Sequence, residues 1–141
     1  MFRWLRWWMR LEGRGLENLP LSGPVLVVSN HDSWLDPLAL VEVMMWRARP
    51  VRFLAKSTLW RMLPLRPLLA IFQAIPVERA QDTNDAESRA RATAKAFAAV
   101  HQAFEKGERV GLFPEGISHG NAWLAPLKTG AARMALSSRV S

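Results

Sequence analysis

The stretch S-N-H-D-S-W-L-D-P, residues 29–37, sets His31 five positions ahead of Asp36. On an unbroken helix that offset turns two side chains roughly 140° apart. The pair can therefore meet only if His31 lies on a bend and Asp36 opens the helix. Pro37 favours this arrangement, because Asp-Pro reads as an N-cap followed by the preferred first helical residue. Joined in this way, Asp36 would accept the Nδ1 hydrogen of His31, fix its tautomer and leave Nε2 to take a proton from a hydroxyl. Such a dyad makes its nucleophile from the substrate rather than from the protein. A plainer reading is open beside it, with Asp36 only a cap and His31 only a loop residue; two carboxylate oxygens make capping and catalysis compatible. A metal site built from His31, Asp32 and Asp36 is the weaker reading, since no second cluster supplies further ligands.

A second stretch, G-I-S-H-G at 116–120, fits the G-x-S-x-G pattern of a hydrolase nucleophile elbow with Ser118 in the attacking position. The elbow requires a helix straight after the serine, then an acid and a histidine later in the chain. Here N-A-W-L-A-P follows, and Pro126 forbids an immediate helix. His119 is adjacent to Ser118 and cannot fold back on it, and no Asp or Glu occurs beyond Glu115. No triad in that order can be completed.

The elements that must carry these residues follow from periodicity and punctuation. P-V-L-V-V-S-N (24–30) reads as a strand and L-A-L-V-E-V-M-M-W as the helix opened by Asp36-Pro37. V-R-F-L-A (51–55) is a second strand, and Pro64 and Pro67 break L-W-R-M-L-P-L-R-P-L-L into short turns or helices. A-I-P-V (74–77) is a third strand. From Asp85 to about Lys106 an Ala-rich helix runs to Gly107 and feeds the fourth strand, R-V-G-L-F. Strands alternating with helices imply an α/β layer fold with a largely parallel sheet flanked by helices. His31 then falls just beyond a strand's carboxyl end, where such folds place their sites.

With 141 residues, half of them hydrophobic, the chain is one domain long and able to bury a core. Nineteen Lys and Arg against 12 Asp and Glu give +7, and 15 of the bases are Arg, which grips phosphate bidentately. Nucleic acid, anionic lipid and phosphorylated substrates are the partners to weigh. Between Glu42 and Glu78 lie Arg47, Arg49, Arg52, Lys56, Arg61 and Arg66 and no acid, either a solvated face or a phosphate-attracting one. The absence of cysteine excludes disulfides and thiolate chemistry. No apolar run approaches the ~20 residues of a membrane span. The first eleven residues, M-F-R-W-L-R-W-W-M-R-L, set Arg3, Arg6, Arg10 and then Arg14 at intervals of three and four. On a helix these form a basic stripe with Trp4, Trp7, Trp8 and Leu11 around the rest, the build of a segment lying in a membrane interface. The competing reading packs that helix on its own domain with the tryptophans as core. Residues 1–14 are accordingly expected as an amphipathic interfacial segment and 15–141 as the main domain.

S-N-H-D-S-W-L-D, A-I-P-V-E-R-A, F-P-E-G-I-S-H-G and P-L-K-T-G-A-A-R-M-A-L, in this order and spacing, resemble the four motifs of the glycerolipid acyltransferase family, typified by lysophosphatidate acyltransferases. The likeness runs from about Glu12 to Leu136. It implies a glycerol-3-phosphate acyltransferase-like fold and a catalytic pair at His31 and Asp36. It also implies an acceptor site at Arg79, which holds phosphate, at Glu115 and Gly116, and at Lys128 and Gly130. The opening glycine of G-I-S-H-G thus belongs to an acceptor-binding loop, where Gly116 and Gly120 would let backbone amides approach an anion. Two positions depart from the pattern. Ile117-Ser118 replace a common Thr-Arg, which removes a phosphate ligand, and Gln73 stands where glycine is common. The family also carries a further strand with a Pro-Val-Pro type motif beyond the helix begun at L-K-T-G, so the domain is expected to be truncated at Ser141.

The resemblance implies transfer of a fatty acyl group from acyl-CoA or acyl carrier protein to a hydroxyl of a glycerol phosphate, most directly 1-acylglycerol 3-phosphate. Glycerol 3-phosphate and dihydroxyacetone phosphate are the alternative acceptors. No metal and no redox cofactor is expected, because a thioester is already activated. Lys56, just past a strand, is either an oxyanion partner or a plain surface lysine. The protein is expected at an anionic membrane surface, on the cytoplasmic face of the inner membrane. Two other classes compete. A catalytically silent membrane-binding fragment would keep the amino-terminal segment without the chemistry. A nucleic-acid binder would want aromatics gathered on a basic face, whereas Trp34, Trp46, Trp60 and Trp123 are scattered, so nucleic acid is not expected as a partner.

Overall fold

Four strands, β1 (Val25–Val28), β2 (Val51–Lys56), β3 (Ile75–Val77) and β4 (Arg109–Leu112), form one sheet in the order β1-β4-β2-β3, every neighbouring pair parallel. The computed structural model describes residues 3–33, 35–47, 50–78, 82–116 and 123–138. Among the described residues, five α-helices accompany the strands: α1 (Arg3–Trp8), α2 (Asp36–Met45), α3 (Arg66–Ile71), α4 (Ala86–Glu105) and α5 (Gly130–Ser137). The expected α/β class, with a parallel sheet between helices, is the observed one.

Strand alternation sends successive side chains to opposite faces, and both faces are covered. Val51 and Phe53 pack with Val41, Met44 and Phe72, the side that carries α2 and α3. Val110 and Ile75 pack with Val100, Ala103, Phe104 and Met134, the side that carries α4 and α5. Val100 and Val110 are fully buried, worth about 1.5–3 kcal/mol each in removed apolar surface. Between the layers, Gly111 of β4 meets the Phe53 ring, and a Cβ there would lie 2.5 Å from it.

This partition follows from the handedness of parallel crossovers. The connections β1-α2-β2 and β2-α3-β3 move one way along the sheet and put their helices on one face. The return from β3 to β4 reverses direction and puts α4 on the other. Strand β4 is thereby inserted between β1 and β2, and the chain leaves β1 toward one layer and β4 toward the opposite one. Their carboxyl ends therefore flank a crevice, the switch point at which open α/β sheets bind ligands.

Helix α4 begins and ends as its sequence predicts. Asp85 accepts a hydrogen bond of 2.7 Å from the Ser88 amide, which holds its carboxyl below the ordinary value, and Gly107 takes φ +68° after the last turn. Two other expectations change. Helix α1 is only six residues long, because Arg10 adopts φ +48° and the Leu11 amide turns back to the Arg6 carbonyl. Of the arginine stripe, Arg3 and Arg6 thus stand on the helix, while Arg14 pairs with Glu12 beyond it. Trp4, Trp7 and Trp8 are 60–83% exposed, so they are not core, and α1 rests on α2 through Arg6 stacked over Trp46 at 4.3 Å. The basic run between Glu42 and Glu78 is partly neutralised internally: Arg52 pairs with Glu108 at 2.5 Å and Lys56 with Asp82 at 3.1 Å. The segment after β2 is broken as its prolines predict, into two 3₁₀ turns, Ser57–Arg61 and Leu63–Leu65, ahead of the short α3.

Candidate active site

His31 and Asp36 meet at the carboxyl end of β1. Nδ1 of His31 lies 3.3 Å from Asp36 Oδ2, and the same oxygen accepts a 2.7 Å hydrogen bond from the Ser33 amide. The dyad is therefore built as its spacing predicts, but Asp36 is not the cap. It is the first helical residue, Leu35 occupies the cap position and makes no side-chain cap bond, and the carboxylate turns back into the loop. Two donors converging on one oxygen fix the carboxylate, and the carboxylate fixes the ring. With Nδ1 committed to Asp36, Nε2 is the nitrogen that can accept a proton.

The ring is also held from its face. His31 stacks on Phe113 at 4.2 Å between centroids, and Phe113 stacks on Phe53 at 5.4 Å. Phe113 is the first residue past β4, so the same crevice that brings β1 and β4 together supplies the platform.

Glu115 ties the site together. It is 2% exposed, and its two oxygens accept backbone hydrogen bonds from His31 at 3.0 Å and from Ala125 at 2.8 Å. The Lys128 amide in turn donates to the Pro114 carbonyl at 2.9 Å. One buried carboxylate thus joins the histidine turn to the segment leading into α5. Gly116, at φ +71°, takes a backbone conformation that side chains rarely adopt, and Lys128 Nζ passes 2.5 Å from where its Cβ would be. Gly130 starts α5 with open space around its Cα. Of the residues the resemblance implied for the acceptor site, Glu115, Gly116, Lys128 and Gly130 gather on this edge. Arg79, Ser118, His119 and Gly120 lie outside the described residues.

Sequence reasoning did not anticipate the cavity beside the dyad. It holds about 400 Å³ and is walled by both layers, including Leu38, Leu68 and Phe72 on one side and Ala131 and Met134 on the other. Among the described residues, the polar side chains lining it are those of His31, Lys56 and Lys128. An apolar hole with a few convergent polar groups at one end is the form of a small-molecule site. The arrangement lets His31 act on a hydroxyl beside an apolar chain, with Lys128 on the same wall and Lys56 there already paired with Asp82. No group of three or more His, Cys, Asp or Glu able to hold a metal occurs among the described residues.

Residues 10–141 match the family model described as Acyltransferase. The chain belongs to the acyltransferase family. It is 34% identical over 134 residues to the 1-acyl-sn-glycerol-3-phosphate acyltransferase alpha of Homo sapiens, a match covering 94% of this chain and 43% of that protein. The 1-acyl-sn-glycerol-3-phosphate acyltransferase of Borreliella burgdorferi is 30% identical over 127 residues, 90% of this chain and 46% of that protein. The chloroplastic 1-acyl-sn-glycerol-3-phosphate acyltransferase BAT2 of Brassica napus is 27% identical over 128 residues, 90% and 34% respectively. This acyltransferase-family chain spans less than half the length of these curated relatives. No solved structure gives a significant match.

Proposed function

We propose that the protein transfers a fatty acyl group from a thioester, acyl-CoA or acyl carrier protein, to a hydroxyl of a glycerol phosphate, with 1-acylglycerol 3-phosphate as the acceptor. The observation that carries this reading is the oriented His31–Asp36 dyad at the end of an apolar cavity on the carboxyl edge of the sheet. The relatives, each a 1-acyl-sn-glycerol-3-phosphate acyltransferase by name, point the same way. His31 Nε2 takes the acceptor's hydroxyl proton as its oxygen attacks the thioester carbonyl. The tetrahedral intermediate collapses, the C–S bond breaks, and the departing thiolate recovers that proton from the imidazolium. Asp36 keeps the ring in the right tautomer and steadies its transient charge. Arg79 and Lys128 serve the acceptor's phosphate, Gly116 and Gly130 give the backbone room beside it, and Glu115 sets the positions of the two segments it joins. Purified protein incubated with a thioester donor and a panel of 1-acylglycerol 3-phosphate, glycerol 3-phosphate and dihydroxyacetone phosphate tests the reading by mass spectrometry. An acylated 1-acylglycerol 3-phosphate is the expected product, and no acyl transfer to any of the three would overturn it.

Ser118 has no part in this chemistry. Ser118→Ala should retain most activity, and a fluorophosphonate probe should leave the serine unlabelled. Labelling that disappears in the alanine variant would return the nucleophile elbow to contention.

The same reading puts the enzyme at an anionic membrane surface, on the cytoplasmic face of the inner membrane. No helix among the described residues is long and apolar enough to cross a membrane. The exposed Trp4, Trp7 and Trp8 on α1 suit interfacial attachment. Each arginine near an anionic leaflet is worth about 1 kcal/mol, so Arg3, Arg6 and Arg10 together contribute roughly a hundredfold in partitioning. Deleting residues 2–11 should weaken vesicle flotation by about that factor and leave the domain folded. Unchanged flotation of the folded deletion variant would remove this anchor.

A further inference from the structure

Strands β2 and β4 are parallel neighbours, paired through Phe53 and Gly111, so the segments following them leave the same edge of the sheet. Both segments wall the cavity, the first through Leu59 and Leu65 and the second through Gly116 and Lys128. Both also carry large apolar side chains that point into solvent. Met62 and Leu63 on one, and Trp123, Leu124 and Leu127 on the other, are 50–71% exposed. Scattered exposed leucines need no explanation, but apolar side chains gathered at the mouth of a site mark a contact surface.

The charge around them selects the partner. Residues 57–77 and 116–138 contain no Asp or Glu, and the first segment adds Arg61 and Arg66 beside its exposed pair. Of the acids near this edge, Asp82 is paired with Lys56, Glu78 just past β3 faces Lys95 at 3.8 Å, Asp36 and Glu115 are held inside the site, and Asp32 belongs to the separate loop after β1, where it accepts from Asn30. Acid-free apolar tips, with Arg61 and Arg66 beside one set and Lys128 beside the other, match an anionic lipid leaflet, with the tips at acyl depth and the cations toward phosphate.

We propose that residues 57–65 after β2 and residues 123–128 ahead of α5 form a lipid-docking rim, which inserts into an anionic leaflet and opens the apolar cavity directly to the bilayer. An acyl chain then passes between membrane and cavity without crossing water. The rim is separate from the α1 contact. Helix α2 runs from Asp36 at this edge to Met45, and α1 stacks on Trp46 beyond its far end, about 15 Å away along the helix at 1.5 Å per residue. This proposal rests on the acyl-transfer reading only for its purpose, since docking itself is measured without catalysis.

The absence of cysteine makes a direct test simple. Leu63→Cys and Leu127→Cys variants of the chain, each labelled with an environment-sensitive fluorophore, should blue-shift on vesicles containing phosphatidylglycerol. A label placed by Gln102→Cys, on an exposed position of α4, should not. In parallel, the combined Trp123→Ser, Leu124→Ser and Leu127→Ser variant should partition onto those vesicles tenfold or more weaker. It should keep its activity toward short-chain, water-soluble substrates and lose activity toward vesicle-embedded acceptor. Rim labels that stay unshifted on vesicle-bound protein would overturn the proposal. So would a shift that appears without lipid as protein concentration rises, which would make the rim a contact between copies of this chain. Shifted labels with no acyl transfer by any variant would leave the docking rim standing and remove the chemistry assigned behind it.

Discussion

Replacing His31 by alanine should lower the rate of acyl transfer by about 10² or more, with the fold and vesicle binding unchanged. The side chain lies on a loop, its ring contributes one stacking contact to Phe113, and the strands beneath it close without it. The loss should therefore appear in turnover rather than in thermal midpoint. Asp36→Asn separates the two roles of the dyad. The amide oxygen can still accept from the Ser33 amide, so the turn persists, but the imidazolium loses its negative partner. A smaller fall in turnover than for His31→Ala is expected, again without unfolding. Circular dichroism and a product assay on the same samples check both variants, and near-normal acyl transfer by folded His31→Ala would end the assignment.

Local features of this site were legible in the sequence, and distant ones were not. The dyad's members stand five positions apart with a proline directly after, so spacing alone indicated that His31 and Asp36 could meet only across a bend. The ends of α4 were equally local, with Asp85 capping one and Gly107 closing the other. The cap at Asp36 misled, because a carboxylate between a helix and a preceding loop can turn either way, and here the Ser33 amide and His31 drew it back. The cavity was not visible because its walls are leucines and phenylalanines drawn from segments as far apart as residues 38 and 134. Each of these reads as ordinary core until the topology inserts β4 between β1 and β2. The platform under His31 is similar in kind. Phe113 was legible only as the end of a strand, and nothing in F-P-E-G says which ring it will meet.

Glu115 is the sharpest instance, since its bond to His31 joins positions 84 residues apart. Glu115→Gln should reduce turnover at least tenfold while leaving acceptor KM nearly unchanged. Among the groups the carboxylate serves are two backbone N–H donors, of His31 and Ala125, one on each oxygen. A glutamine offers one acceptor oxygen and sets an amide nitrogen, itself a donor, against the other. Leaving a buried amide unsatisfied costs about 1–3 kcal/mol, enough to loosen one of the two segments without unfolding the domain. A displacement of the catalytic base by about 1 Å suffices for a 10²-fold loss. Because the carboxylate is buried and holds backbone on both sides, the penalty should fall on the geometry of His31 rather than on acceptor affinity. Glu115→Asp, one methylene shorter, should also fail to span both amides and lose turnover in the same way. Steady-state kinetics across acceptor concentrations separates the alternatives. A raised KM with turnover intact would place Glu115 on the acceptor itself, while a fall in turnover at saturating acceptor is the signature of a residue that acts by holding His31 in place.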